Sequence, residues 1–186
     1  MKLLCAMILT TVGAAAAAPS FFQDKEDAET KVLIGKLVGS KHSLLEGIAQ
    51  AEKENGLAIS AKFEFEDGKL NLSVYTAKQG RGVDAEHNTL MELGGDASAA
   101  KWTPEAEVFK DKEHLTRSAT HLTLMQLTKM TLAECIEKAA AAQKGTVYSA
   151  IPAVKAGKAV VNVLVAAPDG KSVAVSIDVQ TGKPAN

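Results

Sequence analysis

Cysteine is nearly absent from this chain. Only Cys5 and Cys135 occur in 186 residues, and Cys5 falls in an apolar leader, so no disulfide framework can staple a monomer. Aromatic residues make up 4% of the sequence, too few for the platforms on which unpaired bases stack. An excess of one charge is missing as well. The 21 Lys and Arg stand against 22 Asp and Glu, a formal net charge of -1 with no polybasic run, which excludes the broad basic surface that phosphate neutralisation demands. What is present is 46% hydrophobic residues over a length sufficient for one or two packed globular domains.

The first residues carry an address. Met1-Lys2 gives a short positive start, Leu3 to Val12 an apolar run, and Ala14 to Ala18 a small-residue stretch ending at Pro19. That order is expected of a secretory signal peptide over residues 1–18, cleaved near Ala17 or Ala18. A membrane anchor is disfavoured because the run falls short of the ~20 residues that span a bilayer and has no stop-transfer flank. A lipid-anchored reading of Cys5 fails because almost no hydrophobic region precedes it. The expectation is an exported protein, periplasmic or extracellular, with no membrane span after cleavage.

The chain also repeats itself. Ser43-Leu44-Leu45-Glu46-Gly47-Ile48-Ala49 lies over Thr131-Leu132-Ala133-Glu134-Cys135-Ile136-Glu137, and both run on to a glycine, Gly56 or Gly145. In each, a hydroxyl residue is followed three positions later by glutamate, the capping-box spacing, so a helix is expected to start there. Leu44, Ile48 and Ala51, like Leu132, Ile136 and Ala139, recur at i, i+4 and i+7 and give each helix one apolar stripe.

Strands follow each glycine. Ile59, Ala61, Phe63 and Phe65 alternate with Ser60, Lys62, Glu64 and Glu66; Asp67-Gly68 then turns the chain into Leu70, Leu72, Val74 and Thr76. A third strand is expected around Thr89 to Leu93, ending at Gly94-Gly95, beyond a polar loop from Gln79 to Glu86. In the second copy Val147 to Val154, Ala159 to Ala166 and Ser172 to Val179 read as strands separated by Lys155-Ala156-Gly157 and Pro168-Asp169-Gly170. Ala159 to Ala166 is apolar on both sides apart from Asn162, which suits a strand covered on both faces. Were it a docking surface instead, Val160, Asn162 and Leu164 would be the residues a partner meets.

A Thr/Ser-Leu-x-Glu-x-Ile helix, a glycine break, a hairpin and a closing strand ending in Thr181-Gly182-Lys183 resemble the PepSY domain family. The similarity is fullest over Thr131 to Pro184; Ser43 to about Gly95 shares the helix and first two strands. The resemblance implies a helix packed on a small antiparallel sheet, common in exported bacterial proteins and in the propeptides of thermolysin-like metallopeptidases, where an inhibitory or chaperone-like protein contact is proposed. It brings no catalytic residues.

Between the copies, Thr103-Pro104-Glu105 has the form of a helix start, with proline in the first turn where its missing amide costs nothing. Ser118 to Lys129 is read as helix, with Ser118 and Thr120 as caps. Val32, Leu33, Ile34, Leu37 and Val38 suggest a further amphipathic helix ahead of the first copy, with a strand as the alternative.

No linear motif carries chemistry. His114 and His121 would stand roughly 10 Å apart along a helix, too far to share a metal ion, and are expected at the surface. His42 and His87 have no ligand set beside them. Gly170-Lys171-Ser172 lacks the earlier glycine of a phosphate loop, where Val165 stands; Gly80-Arg81-Gly82 marks a loop only; no serine sits in a Gly-x-Ser-x-Gly elbow. Cys135, in a helix interior, is expected to fill core, Trp102 to anchor the linker, and Asn71-Leu72-Ser73 to be a silent glycosylation match within a strand.

The sequence therefore points to an α+β protein of two repeats, each an α-helix on an antiparallel three- to four-stranded sheet, joined by a helical connector. Residues 24–96 form the first with its preceding helix, 97–130 the connector, and 131–186 the second. It is expected not to be an enzyme, to take no metal or cofactor, and to act by protein contact. A modulator or inhibitor of a secreted peptidase is the sharper reading, and a structural or envelope-associated binding protein the alternative.

Overall fold

The computed structural model describes residues 21–185, so the signal-peptide reading lies outside the described residues. Helix α1 (Phe21–Lys36) runs into a 3-10 turn (Leu37–Gly39) and is followed by α2 (Leu44–Asn55). Then come β1 (Leu57–Glu66), β2 (Lys69–Ala77), β3 (Leu90–Asp96), β4 (Glu105–Val108), α3 (Lys112–Gln126), α4 (Leu132–Ala142), β5 (Thr146–Lys155), β6 (Lys158–Ala166) and β7 (Ser172–Asp178). The architecture is α+β.

The two expected helix starts form as capping boxes. Ser43 Oγ accepts from the Glu46 N–H at 3.2 Å while the Glu46 carboxylate accepts from the Ser43 N–H at 2.7 Å. Thr131 and Glu134 do the same at 3.1 and 2.6 Å. These backbone bonds favour the ionised carboxylates and hold both glutamates below their ordinary pKa. Behind α2 and α4, Gly56 and Gly145 have positive φ, and a Cβ at either would collide with the carbonyl of Ala77 or Ala166 on the neighbouring strand. Both hairpin tips, Asp67-Gly68 and Ala156-Gly157, hold two consecutive residues at positive φ, the turn whose twist matches the strands.

Instead of two separate sheets, the strands make one antiparallel sheet in the order β4-β3-β2-β1-β5-β6-β7. The junction is narrow: β1 meets β5 only at Ala61↔Ala150 and Lys62↔Ser149. From Gly56 and Gly145 through Ala77 and Ala166 one constant sequence separation relates the two stretches, and it also relates Ala61 to its partner Ala150. Register shifts fall at matching places, between Ala58 and Ser60 and between Val147 and Ser149. Such a bulge breaks alternation. That is why Ile59, expected beside Ala61 and Phe63, joins a different cluster.

Two apolar clusters result. On one face Leu44, Ile48 and Ala51 of α2 and Leu132, Ile136 and Ala139 of α4 pack on Leu72, Val74, Val161, Val163 and Ile177. On the other face α3 supplies Leu122, which packs with Ile59, Tyr75, Ala77, Leu90 and Phe109.

The connector departs from expectation. Glu105–Val108 is an edge strand on β3, with Met91↔Val108 and Gly94↔Glu105 opposite each other, and not a helix start. The cause is Trp102, 1% exposed, which sits so close to Gly95 that a Cβ there would lie 3.0 Å from its indole nitrogen. The chain leaving Trp102 is thereby laid along β3, whose free edge offers backbone partners. Gly94 and Gly95 lie inside β3 and do not end it. Helix α3 begins earlier than expected, capped by Asp111, whose side chain accepts from the His114 N–H at 3.0 Å. Ser118 is buried in mid-helix, and Thr120 donates to the Thr116 carbonyl.

Candidate functional site

Where β5 passes Ala150 it parts from β1, and its edge on that side is open. Pro152 lies there; a proline offers no N–H, and strands tolerate it at such an unpaired edge. Helix α3 contacts β1, β3 and β5, whereas the helix on β6 and β7 is α4, on the opposite face. Between α3 and the end of β5 an open groove of about 660 Å³ remains. Leu124, Pro152, Ala153 and Val154 give it apolar walls, and Lys112, Glu113, Thr116 and Arg117 line its α3 side. Val154 is 65% exposed.

His121 lies at the inner end of this groove. It is 8% exposed and shares a 3.0 Å hydrogen bond with Ser60 Oγ, itself 2% exposed. The expected surface position of His121 is thus corrected: the face of α3 that carries Leu122 and Met125 docks on the sheet and takes His121 down with it. Burial first, and then the neighbouring charges of Arg117 and Lys62, lower its pKa from 6.5 to about 4, so the ring is neutral near pH 7. The pair has the composition of a nucleophile and base, but among the described residues no carboxylate hydrogen-bonds the ring, and Ser60 is enclosed. A hydrogen-bonded core pair is what the arrangement amounts to.

The remaining histidines are dispersed. His114 accompanies its cap, with Nδ1 2.8 Å from Asp111 Oδ2, and stacks on Phe109 at 5.1 Å between ring centres. His87 pairs with Asp84 on an exposed loop, and His42 Nε2 donates to the Ala99 carbonyl. Among the described residues no group of three or more His, Cys, Asp or Glu is placed to hold a metal ion. Cys135 is fully buried in α4, and that burial, with Glu134 beside it, raises its thiol pKa to about 11, leaving an inert core side chain.

Of the residues a partner might have met on β6, Val160 is 1% exposed and offers no surface, while Asn162 and Leu164 are half-buried. Asn162 Oδ1 accepts from Ser176 Oγ, to which Lys155 Nζ also donates, so a polar strip crosses β5, β6 and β7. The groove at Val154 is a feature the sequence reading missed. Pro152 in mid-strand was the one signal for it.

No family model matches the chain, and no curated protein matches it. Among solved structures it is similar to the crystal structure of a "putative lipoprotein" from Clostridium difficile 630, at 18% sequence identity and a TM-score of 0.41, over 79% of this chain and 92% of that one. Among the described residues, no helix is long and apolar enough to cross a membrane.

Proposed function

We propose that this chain is an exported, non-catalytic protein-binding module of PepSY type, formed by two like units sharing one sheet, and that it modulates a secreted peptidase. The observation that carries the reading is the groove beside α3: an apolar trough with an exposed Val154, open along an unpaired strand edge. Exposed apolar surface rimmed by polar side chains is characteristic of a contact site for another protein. The buried Ser60–His121 pair lacks the access and the orienting acid that catalysis by it would need.

The test is direct. The protein without residues 1–18 is titrated into thermolysin, and separately into peptidases recovered from culture medium, with hydrolysis of a fluorogenic peptide as readout. Slower hydrolysis, with co-elution of the two proteins on gel filtration, supports the reading. Unchanged rates and separate elution with every peptidase would overturn the peptidase role and move weight to an envelope-associated binding protein.

A further inference from the structure

We propose that the groove between α3 and β5 takes a short acidic peptide segment, with apolar side chains against Leu124 and Val154 and carboxylates at its rim. The inference rests on the protein-binding reading above and names the chemistry of the partner.

Charge distribution is the argument. Lys112 and Arg117 line the groove from α3, and the hairpin that follows Val154 carries Lys155 and Lys158 directly opposite each other. The carboxylates nearby are ionised and held by local partners. Glu113 is bound by Arg117 at 2.8 Å, Asp111 caps α3 and holds His114, and Asp178, which faces Lys158, accepts from the N–H groups of Gln180 and Thr181. Two cations and one carboxylate line the groove itself; with the hairpin lysines, and with Asp111 and Asp178 counted as well, four cations stand against three carboxylates and leave this region net positive in a chain whose formal net charge is -1. The balance is made up elsewhere: a second cleft, around the β1–β2 hairpin, is lined by Glu64, Glu66, Asp67, Glu92, Asp96 and Glu105 against the single cation Lys69. An acidic segment is therefore repelled at one end of the molecule and attracted at the other, which selects both partner and docking position. Pro152 takes a donor away from the open edge, so the contact is made through side chains more than through an added strand.

Two fluorescein-labelled octapeptides serve as probes, one alternating leucine with glutamate and the other leucine with lysine, measured by anisotropy against the protein without residues 1–18. The glutamate peptide is expected to bind about ten-fold tighter or better than the lysine peptide at low salt, a preference that shrinks in 0.5 M NaCl, as about a 3–10 Å screening length requires. Lys155→Glu with Lys158→Glu, both exposed hairpin positions, should abolish the preference, and Val154→Asp should abolish binding, with circular dichroism unchanged. Equal binding of both peptides, or binding of neither, overturns the inference, as does displacement of the glutamate peptide by sodium dodecanoate at micromolar concentration, which would mark a lipid site. Should the peptides fail while thermolysin is still slowed, equally in the hairpin double variant, the groove is wrong and the broader reading survives. Peptide binding with every peptidase unaffected gives the converse.

Discussion

The two halves of the sheet begin alike and end differently. Each has a boxed helix, a glycine pressed on a strand carbonyl, and a hairpin with two residues at positive φ. After the second strand they diverge. The first half spends residues 78–89 on a long loop, and Arg81 in it donates to the carbonyls of Thr128 and Met130 while Gln126 donates back to those of Arg81 and Val83. This latch fixes the end of α3 over the first half. The second half crosses at 167–171 in a tight turn, and its tail returns to pair Pro184 with Ile177 at the sheet edge. His121 hydrogen-bonds Ser60, and among the described residues no histidine hydrogen-bonds Ser149, its counterpart. The common framework supplies the fold, and the unshared additions decide which surface is covered and which is open.

The largest expected effect tests whether the halves are one cooperative unit. Ile48 and Ile136 hold matching positions in α2 and α4, 1% and 2% exposed, in a cluster that spans the junction. Truncating either to alanine is expected to cost about 2–5 kcal/mol, from lost transfer energy and the cavity left behind. Urea unfolding followed at Trp102, in the first half, and by circular dichroism over the whole chain should give coincident curves for Ile48→Ala and Ile136→Ala alike. A Trp102 transition untouched by Ile136→Ala would show that the narrow Ala61–Ala150 junction does not couple them.

What the sequence revealed was local. Capping boxes and two-residue hairpins are written within four residues, so the α2, α4, β1–β2 and β5–β6 units could be read from spacing alone. Features that depend on what the chain meets later were not legible. Ile59 alternates correctly in sequence and is redirected by a bulge; Glu105 to Val108 reads equally well as a first helical turn until Trp102 is pinned against Gly95; His121 is polar and reads as surface until α3 docks. The joining of two meanders into one sheet turns on Ala61 and Ala150, whose small side chains carry no pattern of their own. For the groove, which exists because β5 leaves β1, the lone hint was Pro152.

The second expected effect comes from an acid-sensitive group, His121, that only the half covered by α3 possesses. The folded-state pKa of His121, about 4, lies below its ordinary 6.5, so on acidification the unfolded chain takes up the proton first. Stability attributable to the neutral ring is therefore intact above pH 6.5, falls as the pH drops towards 4, and is lost below that. The full depression corresponds to at most about 3 kcal/mol. Urea titrations between pH 7 and 5, above the range where carboxylates dominate, should show this decline in the parent protein and a flatter profile in His121→Gln. Equal slopes would mean that Ser60 and its neighbours accommodate the charge.

The smallest effect compares the two helix starts directly. Ser43 and Thr131 have the same partners, and their bonds to the backbone N–H groups of Glu46 and Glu134 are 3.2 and 3.1 Å long. Replacing either by alanine orphans one amide in the first turn and is expected to cost about 1 kcal/mol. The fold gives no reason for one cap to matter more, since Leu44 and Leu132, the first residues of their helices, are equally enclosed at 2% and 0% exposure. Thermal or urea unfolding of Ser43→Ala, Thr131→Ala and the double variant should therefore give two like losses that add, because the caps share no contact. A Thr131→Ala loss several times that of Ser43→Ala would show that the second unit bears more of the stability, and that the likeness of the two halves is one of shape and not of energy.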